Sequence, residues 1–131
     1  MNPHNILVVD DETISLNALQ RTFRRDYNVF SATNAKDALS IMDKNDIALV
    51  ITDHRMPDMS GVEFLEKTLR SHPNTVRIIL TGYRDDKPVV EAVNTGYVYD
   101  CIGKPWEPER VKAIVRKGIA AYEATRLGRQ T

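Results

Sequence analysis

The chain has 131 residues, the size of one domain, and its 42% hydrophobic content is ample for a packed core. Lys+Arg and Asp+Glu balance at 18 each, which excludes a global field drawing the protein to nucleic acid or to a membrane. The single cysteine, Cys101, excludes an internal disulfide and fits a reducing cytosol. At the N-terminus, Met1-Asn2-Pro3-His4-Asn5 has no basic region, and the apolar run behind it stops at Asp10, too short for a signal peptide or a membrane span. These features predict a soluble, cytoplasmic domain.

Apolar runs and amphipathic segments alternate five times. Residues 6–9 read as a first strand ending in Asp10-Asp11-Glu12, and Leu16, Leu19 and Phe23 then share one face of a helix. Residues 27–33 read as a second strand, followed by a helical face of Ala35, Ala38, Leu39 and Met42. The third strand, 47–52, ends at Asp53; Val62, Leu65 and Leu69 then repeat the helical spacing until His72-Pro73-Asn74 breaks it. Residues 76–80 form a fourth strand that runs into Thr81-Gly82. A short helix follows with Pro88 in its first turn, where a missing N–H costs nothing, and with Val89, Ala92 and Val93 on its apolar face. Residues 97–102 make the fifth strand, leading to Lys104-Pro105, and Val111, Ile114, Val115, Ile119 and Tyr122 mark a long last helix. This alternation predicts an α/β fold, a flavodoxin-like (βα)5 doubly wound parallel sheet of strand order 2-1-3-4-5.

In such a sheet strands 1, 3, 4 and 5 lie side by side, and ligands bind beyond their carboxyl ends. Those four strands end in Asp10-Asp11, Asp53, Thr81 and Lys104. Three carboxylates, a hydroxyl and an ammonium therefore converge. Clustered carboxylates repel, and a hard divalent cation with oxygen ligands offsets that cost. The grouping predicts a Mg²⁺-dependent phosphoryl-acceptor site.

Each piece has a plainer explanation when taken alone. Acidic residues after a strand favour the first turn of a helix through its dipole. Met56-Pro57 with Gly61 is an ordinary strand-to-helix loop, and a threonine or lysine commonly ends a strand. A haloacid-dehalogenase-type phosphatase also begins with an aspartate after its first strand, but needs a second two positions on, where this chain has Glu12. The joint occurrence, in order and in phase, carries the argument.

Val9-Asp10-Asp11-Glu12, Asp53 with Met56-Pro57 and Gly61, Thr81-Gly82 and Lys104-Pro105 together resemble a response-regulator receiver domain, over about residues 4–122. The resemblance implies that Asp53 accepts the phosphoryl group and that Asp10, Asp11, Asp53 and the backbone carbonyl of Arg55 hold Mg²⁺. It implies that Lys104 pairs with a phosphoryl oxygen, that the Thr81 hydroxyl turns inward to another, and that the Lys104-Pro105 bond is cis. The donor would be a phosphohistidine on a sensor histidine kinase or phosphotransfer protein. The result would be a change in the surface of the fourth helix, fifth strand and last helix, read by an output domain or effector. Such a chain catalyses its own phosphorylation and dephosphorylation only. Homodimerisation is compatible with the resemblance; membrane binding and direct nucleic-acid binding are not expected. The alternatives are a degenerate receiver used as a constitutive protein-binding module, and a phosphomonoesterase.

One position departs from the family. Receivers usually carry an aromatic three residues before the lysine, and this chain has Cys101 there. Tyr99 lies two residues earlier, on the same strand face by alternation, and is the candidate to take over the switching role. Cys101 reads as a small buried filler. Residues 1–122 are read as the receiver. Residues 123–131, the polar end of the last helix, are read as a linker toward an output domain. From Glu109 onward six basic residues face two acidic ones, which reads as a solvated helix face.

Overall fold

The computed structural model describes residues 3–82 and 86–130. Met1, Asn2 and Thr131, which the sequence analysis assigned to the chain ends, lie outside the described residues. The elements run β1 (Asn5–Val9), α1 (Thr13–Phe23), β2 (Asn28–Ala32), α2 (Ala35–Lys44), β3 (Leu49–Asp53), α3 (Gly61–Ser71), β4 (Val76–Thr81), α4 (Lys87–Asn94), β5 (Asp100–Gly103) and α5 (Pro108–Gln130). The five strands form one parallel sheet in the order β2-β1-β3-β4-β5, the predicted flavodoxin-like arrangement.

Strands buried on both faces read as unbroken apolar runs, and β3 is the extreme case, with all five of its residues buried. Alternation divides the core into two layers. Ile6, Val8, Leu49, Ile51, Ile78, Leu80 and Ile102 pack against Leu16, Leu19 and Phe23 of α1 and Val111, Val115 and Ile119 of α5. Leu7, Val9, Val50 and Ile79 pack against α2, α3 and α4 through Ala38, Met42, Phe64, Leu65, Val89 and Ala92. Each fully buried apolar side chain of this size contributes roughly 1.5–3 kcal/mol, so the sheet holds its polar carboxyl ends in place against their mutual repulsion.

The helical faces differ from expectation at two edges. Leu69 and Val93 were expected on the buried faces of α3 and α4, but both are exposed. Residues 97–99 do not join the fifth strand as expected. The Val98 N–H turns back to the Ala92 carbonyl, and Arg77 Nε donates to the Tyr97 carbonyl at 2.6 Å; the Tyr99 N–H reaches the Arg77 carbonyl of β4 at 2.7 Å, and the registered pairs run from Asp100. Arg77 is itself buried, which pushes its guanidinium below its ordinary range, and it also donates to the carbonyl of His72. Among the described residues it is a structural anchor that no sequence pattern announced.

Local capping explains where the helices near the site begin. Asn34 accepts from the Asp37 N–H at 2.8 Å at the start of α2. Ser60 and Glu63 form a reciprocal capping box at the start of α3. The loop after β3 is held at both ends. Gly61 N–H donates to the His54 carbonyl at 2.6 Å, and the Asp58 carboxylate accepts from the N–H groups of Ala35 and Lys36 on α2.

Candidate functional site

Strand register brings the acidic residues together. Val9 pairs with Thr52, so Asp10 and Asp53 follow side by side at the carboxyl ends of β1 and β3. Asp53 in turn pairs with Leu80, which sets Thr81 one residue beyond it, and Thr81 pairs with Gly103, one residue before Lys104. The Lys104 N–H donates to the Thr81 carbonyl at 3.0 Å, and the Lys104-Pro105 bond is cis.

Asp10, Asp11 and Asp53 each offer a carboxylate oxygen within 4.8 Å of the others. Asp10 and Asp53 are buried, while Asp11 is exposed. Lys104 Nζ lies 2.6 Å from Asp53 Oδ1 and 3.6 Å from Asp10 Oδ2. One Asp10 oxygen accepts from the Glu12 N–H at 2.9 Å; the other, Oδ2, is buried with no hydrogen-bond partner. Burial pushes the Asp10 carboxyl above its ordinary value, outweighing the Glu12 hydrogen bond and the Lys104 charge. Burial alone would lower the Lys104 ammonium, but the Asp53 hydrogen bond and the charges of Asp10 and Asp53 hold it above its ordinary value. The ammonium therefore belongs chiefly to Asp53, and Asp10 remains under-compensated.

That donor set suits a hard divalent cation. Three carboxylates offer oxygen only, and the orphaned Asp10 Oδ2 marks where further positive charge is wanted. Arg55 sits exposed in the loop two residues after Asp53, and Thr81 is buried at the end of β4.

The two residues considered for a switching role, Tyr99 and Cys101, fall elsewhere. Cys101 is partly buried and packs with the layer of α2, α3 and α4. Tyr99 is 42% exposed, and its ring comes within 3.8 Å of where a Cβ would stand on Gly118 of α5. It precedes β5 rather than lying in it, so strand alternation does not govern its direction, and its ring reaches the opposite layer from Cys101.

Three polar residues of this end escaped the sequence analysis. His54 follows Asp53 directly in the sequence. Its side chain is buried between β3 and the start of α4. Asp58 looked like a loop residue and instead caps α2. Asp86 faces His54. An aspartate before a helix signals a cap, but nothing local tells which helix or side chain receives it.

The model of the response regulator receiver domain family matches residues 6–116. The chain is similar to the hydrogenase transcriptional regulatory protein HoxA of Cupriavidus necator, at 36% identity over 116 residues that cover 88% of this chain and 24% of the relative. It spans about a quarter of the length of the curated relatives it first matches. Among solved structures it is similar to an adenylate cyclase from Rhodopirellula baltica, with a TM-score of 0.93 and 33% identity over 98% of this chain and 96% of that one. It is also similar to the signal receiver domain of an HD domain-containing protein from Pseudomonas fluorescens, with a TM-score of 0.90 and 29% identity over 96% and 93% of the two chains.

Proposed function

Since the chain belongs to the response regulator receiver domain family, a family of signalling modules, we propose that it is a phosphorylation-dependent switch whose acceptor is Asp53. One observation carries this reading: the Asp10, Asp11 and Asp53 carboxylates lie together with the Lys104 ammonium 2.6 Å from Asp53.

In this reading an Asp53 carboxylate oxygen attacks the phosphorus of a phosphohistidine on a sensor kinase or phosphotransfer protein. The P–O bond forms, the P–N bond breaks, and its electron pair stays with the departing imidazole. Asp10, Asp11, Asp53 and the Arg55 carbonyl would hold Mg²⁺, which supplies charge neutralisation for the transferring group. Lys104 moves from Asp53 to a phosphoryl oxygen, and the Thr81 hydroxyl binds another. The gain of about −1.5 to −2 charge and three acceptor oxygens is what biases the face of α4, β5 and α5. Tyr99, against α5, is the aromatic candidate for relaying that change in place of position 101. Residues 1–122 would be the receiver and 123–131 the start of a linker. An output domain or separate effector would read the face, as monomer or homodimer. Among the described residues no helix is long and apolar enough to cross a membrane.

Incubation with acetyl phosphate and Mg²⁺ tests the reading. A stoichiometric, acid-stable and base-labile adduct that disappears in Asp53→Asn is expected. No adduct would point to a constitutive binding module, and continuing phosphate release to a phosphatase.

A further inference from the structure

His54 directly follows Asp53, and its backbone is pinned on both sides: its N–H donates to the Leu80 carbonyl at 3.1 Å, and its carbonyl accepts from Gly61. The imidazole is therefore carried rigidly by the end of the acceptor strand. It is buried, its Nδ1 has no hydrogen-bond partner, and its Nε2 lies 4.0 Å from Asp86 Oδ2. That separation exceeds a hydrogen bond, and the Asp86 side chain is 41% exposed, so the buried imidazole attracts the carboxylate electrostatically through a contact that water partly screens.

Asp86 is the N-cap of α4, and aspartate is favoured there because its carboxylate accepts from the N–H at the second or third helical position. Asn34 and Ser60 do this at the starts of α2 and α3. Asp86 makes no such bond. The second position of α4 is Pro88, which has no N–H, so the Val89 N–H is the donor that a cap would use. α4 has only 8 residues and no acidic residue in its first turn to compensate. One carboxylate thus stands between two partners, the imidazole and its own helix.

We propose that His54 is a positioning residue that withholds Asp86 from capping α4 in the unphosphorylated protein, and thereby couples the end of the acceptor strand to the first turn of a helix on the switching face. The coupling rests on the phosphoryl-switch reading above. It acts because a two-state element shifts only by the difference in interaction that its partners offer the two states.

Amide hydrogen exchange at Val89, measured on the full unphosphorylated chain, tests it. Removing the imidazole in His54→Leu should free Asp86 to cap, slowing Val89 exchange by roughly three- to ten-fold, the range expected of a gained N-cap. Adding Asp86→Ala should erase that gain. Asp86→Asn keeps a competent cap and loses the charge facing His54, so it should slow the same amide; being partly exposed, it also serves if His54→Leu does not fold. A residue that only filled space would speed exchange when truncated. Unchanged or faster Val89 exchange in Asp86→Asn, or in folded His54→Leu, overturns the proposal. Acetyl phosphate treatment keeps the two readings apart. An adduct on the parent chain with unprotected Val89 in the variants sinks this coupling alone. Protected Val89 with no adduct on the parent sinks the phosphoryl reading and leaves the His54–Asp86 link.

Discussion

The Lys104 ammonium lies a full ångström closer to Asp53 than to Asp10, at 2.6 Å against 3.6 Å. This asymmetry divides the site. Asp53 holds the close contact with the ammonium, whereas the buried Asp10 Oδ2 has only the longer ion pair and no hydrogen-bond partner. Removing either member of the arrangement should therefore have opposite effects on stability.

Asp10→Asn should stabilise the metal-free protein at neutral pH by about 1–2 kcal/mol, the usual cost of a buried unsatisfied group. The sign follows from linkage. Because the folded carboxyl titrates above its ordinary 3.8, its charged form opposes folding above that raised value. The advantage of the variant should shrink as pH falls toward 3.8. Mg²⁺ should stabilise the parent more than the variant. Urea titrations at two pH values, with and without Mg²⁺, check all three points.

Lys104→Met should do the reverse, leaving Asp53 and Asp10 without their counter-charge. The loss should sit at the low end of the roughly 3–5 kcal/mol typical of a broken buried pair, because the lysine side chain is 26% exposed. The folded ammonium titrates above 10.5, so its contribution is complete below pH 10.5 and disappears as pH rises through the folded value. The difference in urea midpoint between parent and variant should be flat from neutral pH up to 10.5 and narrow beyond it.

Gly61→Ala tests the loop packed against Asp53 and His54. A Cβ there would stand 2.5 Å from the Asp53 carbonyl oxygen and 2.9 Å from His54 Cα, both backbone atoms that cannot rotate away. The substitution should cost about 1–3 kcal/mol and displace the end of β3. Thermal unfolding and adduct yield with acetyl phosphate should fall together.

The far end of the molecule has its own pH response. His4 Nε2 meets Glu123 Oε1 at 2.7 Å, and His4 and Tyr122 stack edge-on. The His4 hydrogen bond, aided by Arg126, holds the Glu123 carboxyl below its ordinary 4.5. That contribution is present above pH 4.5 and is lost as pH falls through the depressed folded value. Acidification should loosen the end of α5, seen as faster amide exchange around Tyr122, and Glu123→Gln should produce the same change at neutral pH.

Much of this protein was legible one-dimensionally. The apolar runs at 6–9 and 47–52, and the run at 76–80 interrupted only by Arg77, read as buried strands. The residues just beyond them, Asp10, Asp11, Asp53 and Thr81, and Lys104 after the fifth strand stand out because a doubly wound sheet delivers all its strand ends to one edge. Period and composition decide such features, since they depend only on which side chains must leave water. Three-dimensional packing decided the rest. Residues 97 and 98 turn their backbone groups to the Arg77 side chain and to α4, and only from the Tyr99 N–H onward does the chain bond to the backbone of β4. Tyr99 turns its ring toward Gly118 of α5, and Asp58 and Asp86 cap or decline to cap according to neighbours 22 residues or more away in sequence. A polar side chain bonds to whatever the fold brings within about 3 Å, and that short range has no counterpart in local sequence pattern.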